Sequence, residues 1–152
     1  MTKLLIRGLE VLVDDEDVAF VTQHKWYVAK RNYLFRYIGH SSNFKYLHHE
    51  LLGATRHSHV DHINHNTLDN QRANLRICSI SQNAMNRNKR PNTSSRFKGV
   101  SFYKRYKKWK ARVKIDETEI WLGYFNDEIN AAKAYNEAAK KYFGEFAQLN
   151  NI

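Results

Sequence analysis

The chain has 152 residues, 42% of them hydrophobic, with one proline and six glycines, which suits one domain or two small ones and excludes a low-complexity chain. Its formal charge is +10, and fourteen Lys or Arg stand between Asn70 and Ile115 without one Asp or Glu, so the expected partner is a polyanion, either nucleic acid or an anionic membrane. A lone cysteine, Cys78, excludes an intrachain disulfide and a Cys-rich zinc knuckle, and the apolar runs are too short for a signal peptide or membrane span.

Residues 2 to 13 alternate loosely, with Leu5, Leu9, Val11 and Val13 as the apolar set. Asp14-Asp15-Glu16-Asp17 follows, as a solvated turn or as the first turn of a helix running from about Asp15 to His24. Trp26 to Ala29 and Tyr33 to Ile38 read as paired strands across Lys30-Arg31-Asn32. Phe44 to Leu52 reads as a strand leading into a short helix that ends at Gly53, and Ala54 to His59 as a polar loop.

Val60 to Asn83 carries the chemistry. It reads as a strand with an Asp61-His62 pair, an amide-rich hairpin, a second strand, and a helix. Ser79-Ile80-Ser81-Gln82 has capping-box spacing, so this helix should start near Ile80 and run to about Lys89, ahead of Pro91. An acid, an imidazole and spaced asparagines are groups that metal-assisted phosphodiester hydrolysis uses. All eight histidines fall at or before His65, so imidazole chemistry belongs to the N-terminal part.

Arg90 to Ser95 is the best domain boundary. Beyond it Trp109, Ala111, Val113 and Ile115 alternate with Lys110, Arg112 and Lys114, so one strand face is apolar and the other basic. Lys98 to Tyr103 and Glu119 to Tyr124 alternate likewise, giving three antiparallel strands with hairpins at about 104–108 and 116–118. Asn126 or Asp127 caps a long helix whose apolar positions are Ile129, Ala132, Tyr135, Ala139 and Tyr142, ended by Gly144.

This last unit, from about Ser95 to Asn150, resembles the plant ethylene-response-factor (APETALA-type) DNA-binding domain. The shared residues are Phe97-Lys98-Gly99-Val100, Trp109 to Val113, Ile120 to Phe125, Ala131-Ala132 with Ala134-Tyr135, and Phe143-Gly144 before Leu149-Asn150. The resemblance implies that the sheet enters the major groove, presenting Lys98, Ser101, Tyr103, Lys110, Arg112, Lys114, Glu119 and Trp121. Ser101, Tyr103, Arg112 and Glu119 depart from the plant pattern, so its base preference is not carried over. The upstream part resembles the phage-type HNH homing endonucleases, from Tyr46-Leu47-His48 through Val60 to Asn64, Leu68-Asp69-Asn70, Ala73 to Arg76 and Gln82-Asn83. Enzymes of that type often carry a C-terminal domain of the ethylene-response-factor kind.

The implied fold is α+β. A ββα-metal HNH nuclease domain with a β-rich N-terminal extension spans residues 1–90 (core about 46–90), a linker 91–95, and a three-stranded antiparallel sheet packed on one helix 96–152. The implied activity is metal-dependent DNA endonuclease, the alternative being a DNA-binding regulator on an inactive nuclease scaffold. Neighbours on a strand face opposite ways, so Asp61 and His62 are expected to divide the work. Asp61 and Asn83 give oxygen ligands to a divalent metal, Mg²⁺ with Mn²⁺ as the alternative. Neutral His62 takes a proton from water, and Asn74 across the hairpin holds its Nδ1 proton. Turn-shaping is the rival role for Asn66, Asn70 and Asn74. Arg87 can grip a phosphate, and His48, matching the family's upstream histidine, has a packing, a phosphate-contact or a catalytic role. His49, His57, His59 and His65 are read as surface or DNA-facing. The expected setting is a monomer on double-stranded DNA, away from membranes, in the cytoplasm of a bacterial or phage-infected cell.

Overall fold

The computed structural model describes residues 1–55 and 57–152; Arg56, in the loop expected from Ala54 to His59, lies outside them. The mixed α+β chain divides into two compact units, Met1–Ser79 and Ile80–Ile152. This division falls ahead of the boundary expected at 91–95, so the short helix after Ser79 goes with the second unit.

In the first unit β1 (Thr2–Ile6) and β2 (Leu9–Val13) form a hairpin in which Ile6 pairs Leu9. Arg7 and Gly8 both take positive φ, 52° and 81°, as a tight two-residue hairpin turn needs. The apolar parity of β1 is opposite to the expected one. Leu4 and Ile6 pack on the core, whereas Leu5 is 77% exposed. A single 3-10 turn, Asp15–Asp17, leads into α1 (Val18–Thr22). β3 (Tyr27–Val28), β4 (Leu34–Ile38) and β5 (His40–Tyr46) make an antiparallel sheet in that order, and α2 (Leu47–Leu51) follows directly. β6 (His59–His62) and β7 (Leu75–Cys78) form the second hairpin. Val11, Val13, Val21, Trp26, Leu34, Leu47, Leu51, Val60 and Leu75 make one core, so β1 to α2 are the support on which β6 and β7 rest.

The acidic run clamps that support to the hairpin. Asp17 is buried and takes Nε and Nη2 of Arg72 at 3.0 and 2.7 Å, while Asp14 accepts the Arg72 backbone N–H at 2.8 Å. The edge of β2 completes the clamp: Leu12 N–H donates to Leu68 O, and Asn70 N–H to Leu12 O, both at 2.8 Å.

The second unit starts with α3 (Ile80–Met85), shorter than the helix expected to reach Lys89. Asn86 and Asn88 are weak helix formers, and the Nζ of Lys98 caps the Met85 carbonyl at 2.5 Å. β8 (Val100–Tyr103), β9 (Lys108–Ile115) and β10 (Thr118–Phe125) form an antiparallel sheet in the order β10-β9-β8, packed on α4 (Glu128–Phe143). Asp127 caps α4 by accepting the Asn130 N–H at 2.7 Å. The buried face of α4 is Ala131, Ala132, Tyr135, Ala138, Ala139 and Phe143, because paired alanines let the helix approach the sheet closely. Ile129 and Tyr142, expected in that face, lie exposed. Gly99 is forced: its φ is +75°, and a Cβ there would sit 2.0 Å from the Tyr135 ring and 2.7 Å from the Arg112 carbonyl oxygen.

Candidate functional site

Asp61 and His62 end β6, opposite Arg76 and Leu75 of β7. The loop between the strands is built from its own amides. Asn64 Oδ1 accepts the Asn66 N–H at 2.9 Å, and Asn66 Oδ1 the Leu68 N–H at 3.1 Å. Asn64 Nδ2 donates to buried Asp69 at 2.7 Å. Asn74 closes the loop: its Oδ1 accepts the Asn64 N–H at 3.0 Å and its Nδ2 donates to the Asp69 carbonyl at 2.8 Å.

His62 therefore has another partner than the one expected. Asn74 makes no hydrogen bond to it; Asn70, 1% exposed, does, with Oδ1 at 3.4 Å from Nε2. The amide nitrogen of Asn70 donates to the Thr67 carbonyl at 3.2 Å, which turns its oxygen to the imidazole and makes Nε2 the donor. The lone pair of neutral His62 is then on Nδ1. Rings crowd the imidazole: Tyr33 and His48 lie 5.9 and 5.1 Å from it between centroids. Burial pushes His62 below the ordinary imidazole range, against the upward pull of Asn70, Asp61 and Asp69. It is neutral at pH 7.

His48 packs among rings. It is buried against Tyr33, Tyr46, His49 and His62, and burial, with the two neighbouring imidazoles, holds it down to about 3. On the other side of β6, Asp61 faces Arg76, whose Nη2 and Nε reach its Oδ2 at 2.9 and 3.1 Å. The resemblance includes Arg76 without giving it a role; the strand register shows its place opposite Asp61.

In the second unit the sheet face away from α4 carries Ser101 and Tyr103 of β8, Lys110, Arg112 and Lys114 of β9, and Glu119, Trp121 and Tyr124 of β10. Trp121 is 58% exposed, and Tyr103, Tyr106 and Tyr124 form a ring cluster beside it. The face is less purely basic than its alternation suggests. Glu119 pairs with Arg112 and, at 3.4 Å, with Lys110, while Lys114 pairs with Glu117 at 3.1 Å. Lys98, expected on this face, is instead the half-buried tie to Met85, held down to about 8 by burial and by Arg87. A cleft of about 880 Å³ beside the sheet is lined by Arg87, Lys89, Arg90, Lys98, Arg112 and Lys114 among others.

Comparison with known proteins gives the chain a family. It is 32% identical over 149 residues to an uncharacterized HNH endonuclease of Acanthamoeba polyphaga mimivirus, covering 96% of this chain and 77% of the relative. The chain belongs to the HNH endonuclease family. Its AP2/ERF-like region matches plant proteins over shorter stretches. An AP2-like ethylene-responsive transcription factor of Arabidopsis thaliana is 36% identical over 59 residues, 39% of this chain and 12% of the plant protein. A dehydration-responsive element-binding protein of the same plant is 39% identical over 56 residues, 36% of this chain and 16% of that protein. No protein-family model and no solved structure matches the chain.

HNH membership implies a divalent metal, and the donors suit a hard one. The acid of β6 supplies carboxylate oxygen, and the neighbouring imidazole is neutral and held by Asn70. Among the described residues no three His, Cys, Asp or Glu side chains cluster as a metal cage. Asn83 lies half-buried on α3 of the second unit, and Arg87 is exposed just beyond that helix. No helix of the described residues is long and apolar enough to cross a membrane.

Proposed function

We propose that this HNH protein is a metal-dependent DNA endonuclease of the homing type that nicks double-stranded DNA, with the open sheet face of its second unit binding the major groove. The observation that carries the reading is His62. It is a neutral imidazole, buried among rings, with its Nε2 proton directed to Asn70 and a carboxylate as its chain neighbour.

Nδ1 of His62 takes a proton from a water as the water oxygen attacks phosphorus. As the imidazolium forms, the Nε2–H bond to Asn70 strengthens and holds the ring in place. The P–O3′ bond breaks, and the 3′ oxygen leaves and is protonated from solvent. Asp61 would hold the metal, Mg²⁺ or alternatively Mn²⁺, whose charge would offset that on the scissile phosphate and the leaving oxygen. Tyr33 and His48 pack against the imidazole, with ring centroids at 5.9 and 5.1 Å, and limit its movement. A single site in one monomer cuts one strand.

Lys110, Arg112 and Lys114 supply phosphate contacts, and Ser101, Tyr103 and Trp121 stand among them where base edges or sugars pass. The AP2-like plant relatives, one of them named an element-binding protein, support this use of the sheet. The rival reading, a DNA-binding regulator on an inactive scaffold, draws on the Arg76 fork that already occupies Asp61. The two separate on supercoiled plasmid. The endonuclease converts it to open circles with Mg²⁺ and not with chelator, while the regulator retards it in a gel and leaves it intact.

A further inference from the structure

Asp61 and Arg76 stand opposite each other in the β6–β7 register, with side chains only 8% and 12% exposed. Nε and Nη2 of Arg76 both reach one carboxylate oxygen of Asp61, Oδ2. A carboxylate this far from water needs a compensating cation, and in this structure Arg76 supplies it. A divalent ion bound through Asp61 supplies the same compensation, but it must do so beside a guanidinium of like sign a few ångströms away. The two cations are alternatives for one carboxylate.

We infer that Arg76 is a positioning residue that competes with the metal for Asp61. It holds the carboxylate in place and keeps metal affinity low until a DNA phosphate arrives. The inference rests on the reading of Asp61 as a metal ligand. The phosphate matters because it brings negative charge beside the buried Asp61–Arg76 pair. With the phosphate present, Arg76 and the metal each have an anion, and the repulsion between them is screened by the group they share. Metal and DNA therefore strengthen each other's binding by the same factor, as linkage requires. The arrangement also guards the free protein, because a nuclease that holds its metal weakly off DNA is idle there.

The test is titration of the full-length protein with Mn²⁺ by calorimetry, alone and with a short DNA duplex, for wild type, Arg76→Leu, Arg76→Lys and Asp61→Asn. Arg76→Leu should bind Mn²⁺ without DNA about tenfold more tightly than wild type or better, and the duplex should add little further. Arg76→Lys, which keeps the charge and loses the fork, should fall between them and decides the matter if the leucine variant does not fold. Mn²⁺ affinity unchanged or weakened in the folded Arg76 variants overturns the competition. Wild-type Mn²⁺ affinity in Asp61→Asn overturns the reading of Asp61 beneath it, whatever the Arg76 variants do.

Discussion

Replacing His48 by Phe should flatten the acid sensitivity of the first unit. His48 sits near 3 in the folded chain against 6.5 for an ordinary imidazole, because burial and the rings of His62 and His49 penalise its charged form. Its folded-state value is depressed, so its contribution is complete above pH 6.5 and is lost as pH falls from 6.5 towards 3, where only the unfolded chain takes up the proton. At pH 5 the unfolded histidine is favoured by 1.5 pH units of protonation, which comes to about 2 kcal/mol. That is a large part of the stability of a small unit. Phenylalanine keeps a planar ring against Tyr33, Tyr46 and His62 and removes the titration. Urea unfolding at pH 7.5 and 5, read from Trp26 fluorescence with Trp109→Phe and Trp121→Phe in both proteins, measures the difference. His49 and His62 shift in the same direction but remain in both proteins, as does the overall positive charge, so they cancel. The variant should lose about 2 kcal/mol less than wild type on acidification. An equal loss in the two proteins would mean that His48 is not held neutral by its surroundings.

The remaining predictions concern the hairpin and the sheet. Asn70→Ala removes the acceptor that steadies the forming imidazolium and should lower the cleavage rate by roughly 10- to 100-fold with little change in DNA affinity. Asn74→Ala instead unties the loop and should cost about 1–3 kcal/mol in urea unfolding; a rate loss from Asn74→Ala with full stability would return the orienting role to Asn74. Gly99→Ala should destabilise the second unit by roughly 2–5 kcal/mol, since the methyl group meets the Tyr135 ring and the residue must keep a positive φ; a thermal midpoint equal to wild type would contradict the close approach of β8 and α4. Glu119→Gln frees Arg112 and Lys110 and should tighten duplex binding and steepen its salt dependence, while Arg112→Ala or Lys114→Ala should do the reverse. Binding curves unmoved by all three would take DNA off this sheet face.

Much of the second unit was legible in the sequence, because alternation fixes which side of a strand faces a helix. Trp109, Ala111, Val113 and Ile115 could be assigned to one face without knowing what covered it. Lys98 defeated the same logic: its partner is the Met85 carbonyl, a backbone atom of another segment, which no side-chain pattern marks. In the hairpin, Asn66, Asn70 and Asn74 are all able to shape turns, and only Asn74 was expected to hold the imidazole. Which amide points inward depends on the dihedral angles of an irregular loop, so spacing favoured Asn74 where the structure uses Asn70. The run from Asp14 to Asp17 was ambiguous for a related reason, since its partner Arg72 lies some 55 residues away along the chain. Leu5 misled by parity alone, because one residue of register turns a strand over.

The most direct test of the account is cleavage of supercoiled plasmid by wild type and His62→Ala, side by side, with Mg²⁺ at pH 7.5 and at equal DNA occupancy. Wild type should produce open circles, and the variant should bind the plasmid and leave it supercoiled. Cleavage at the wild-type rate by His62→Ala would contradict the assignment of that imidazole as the base.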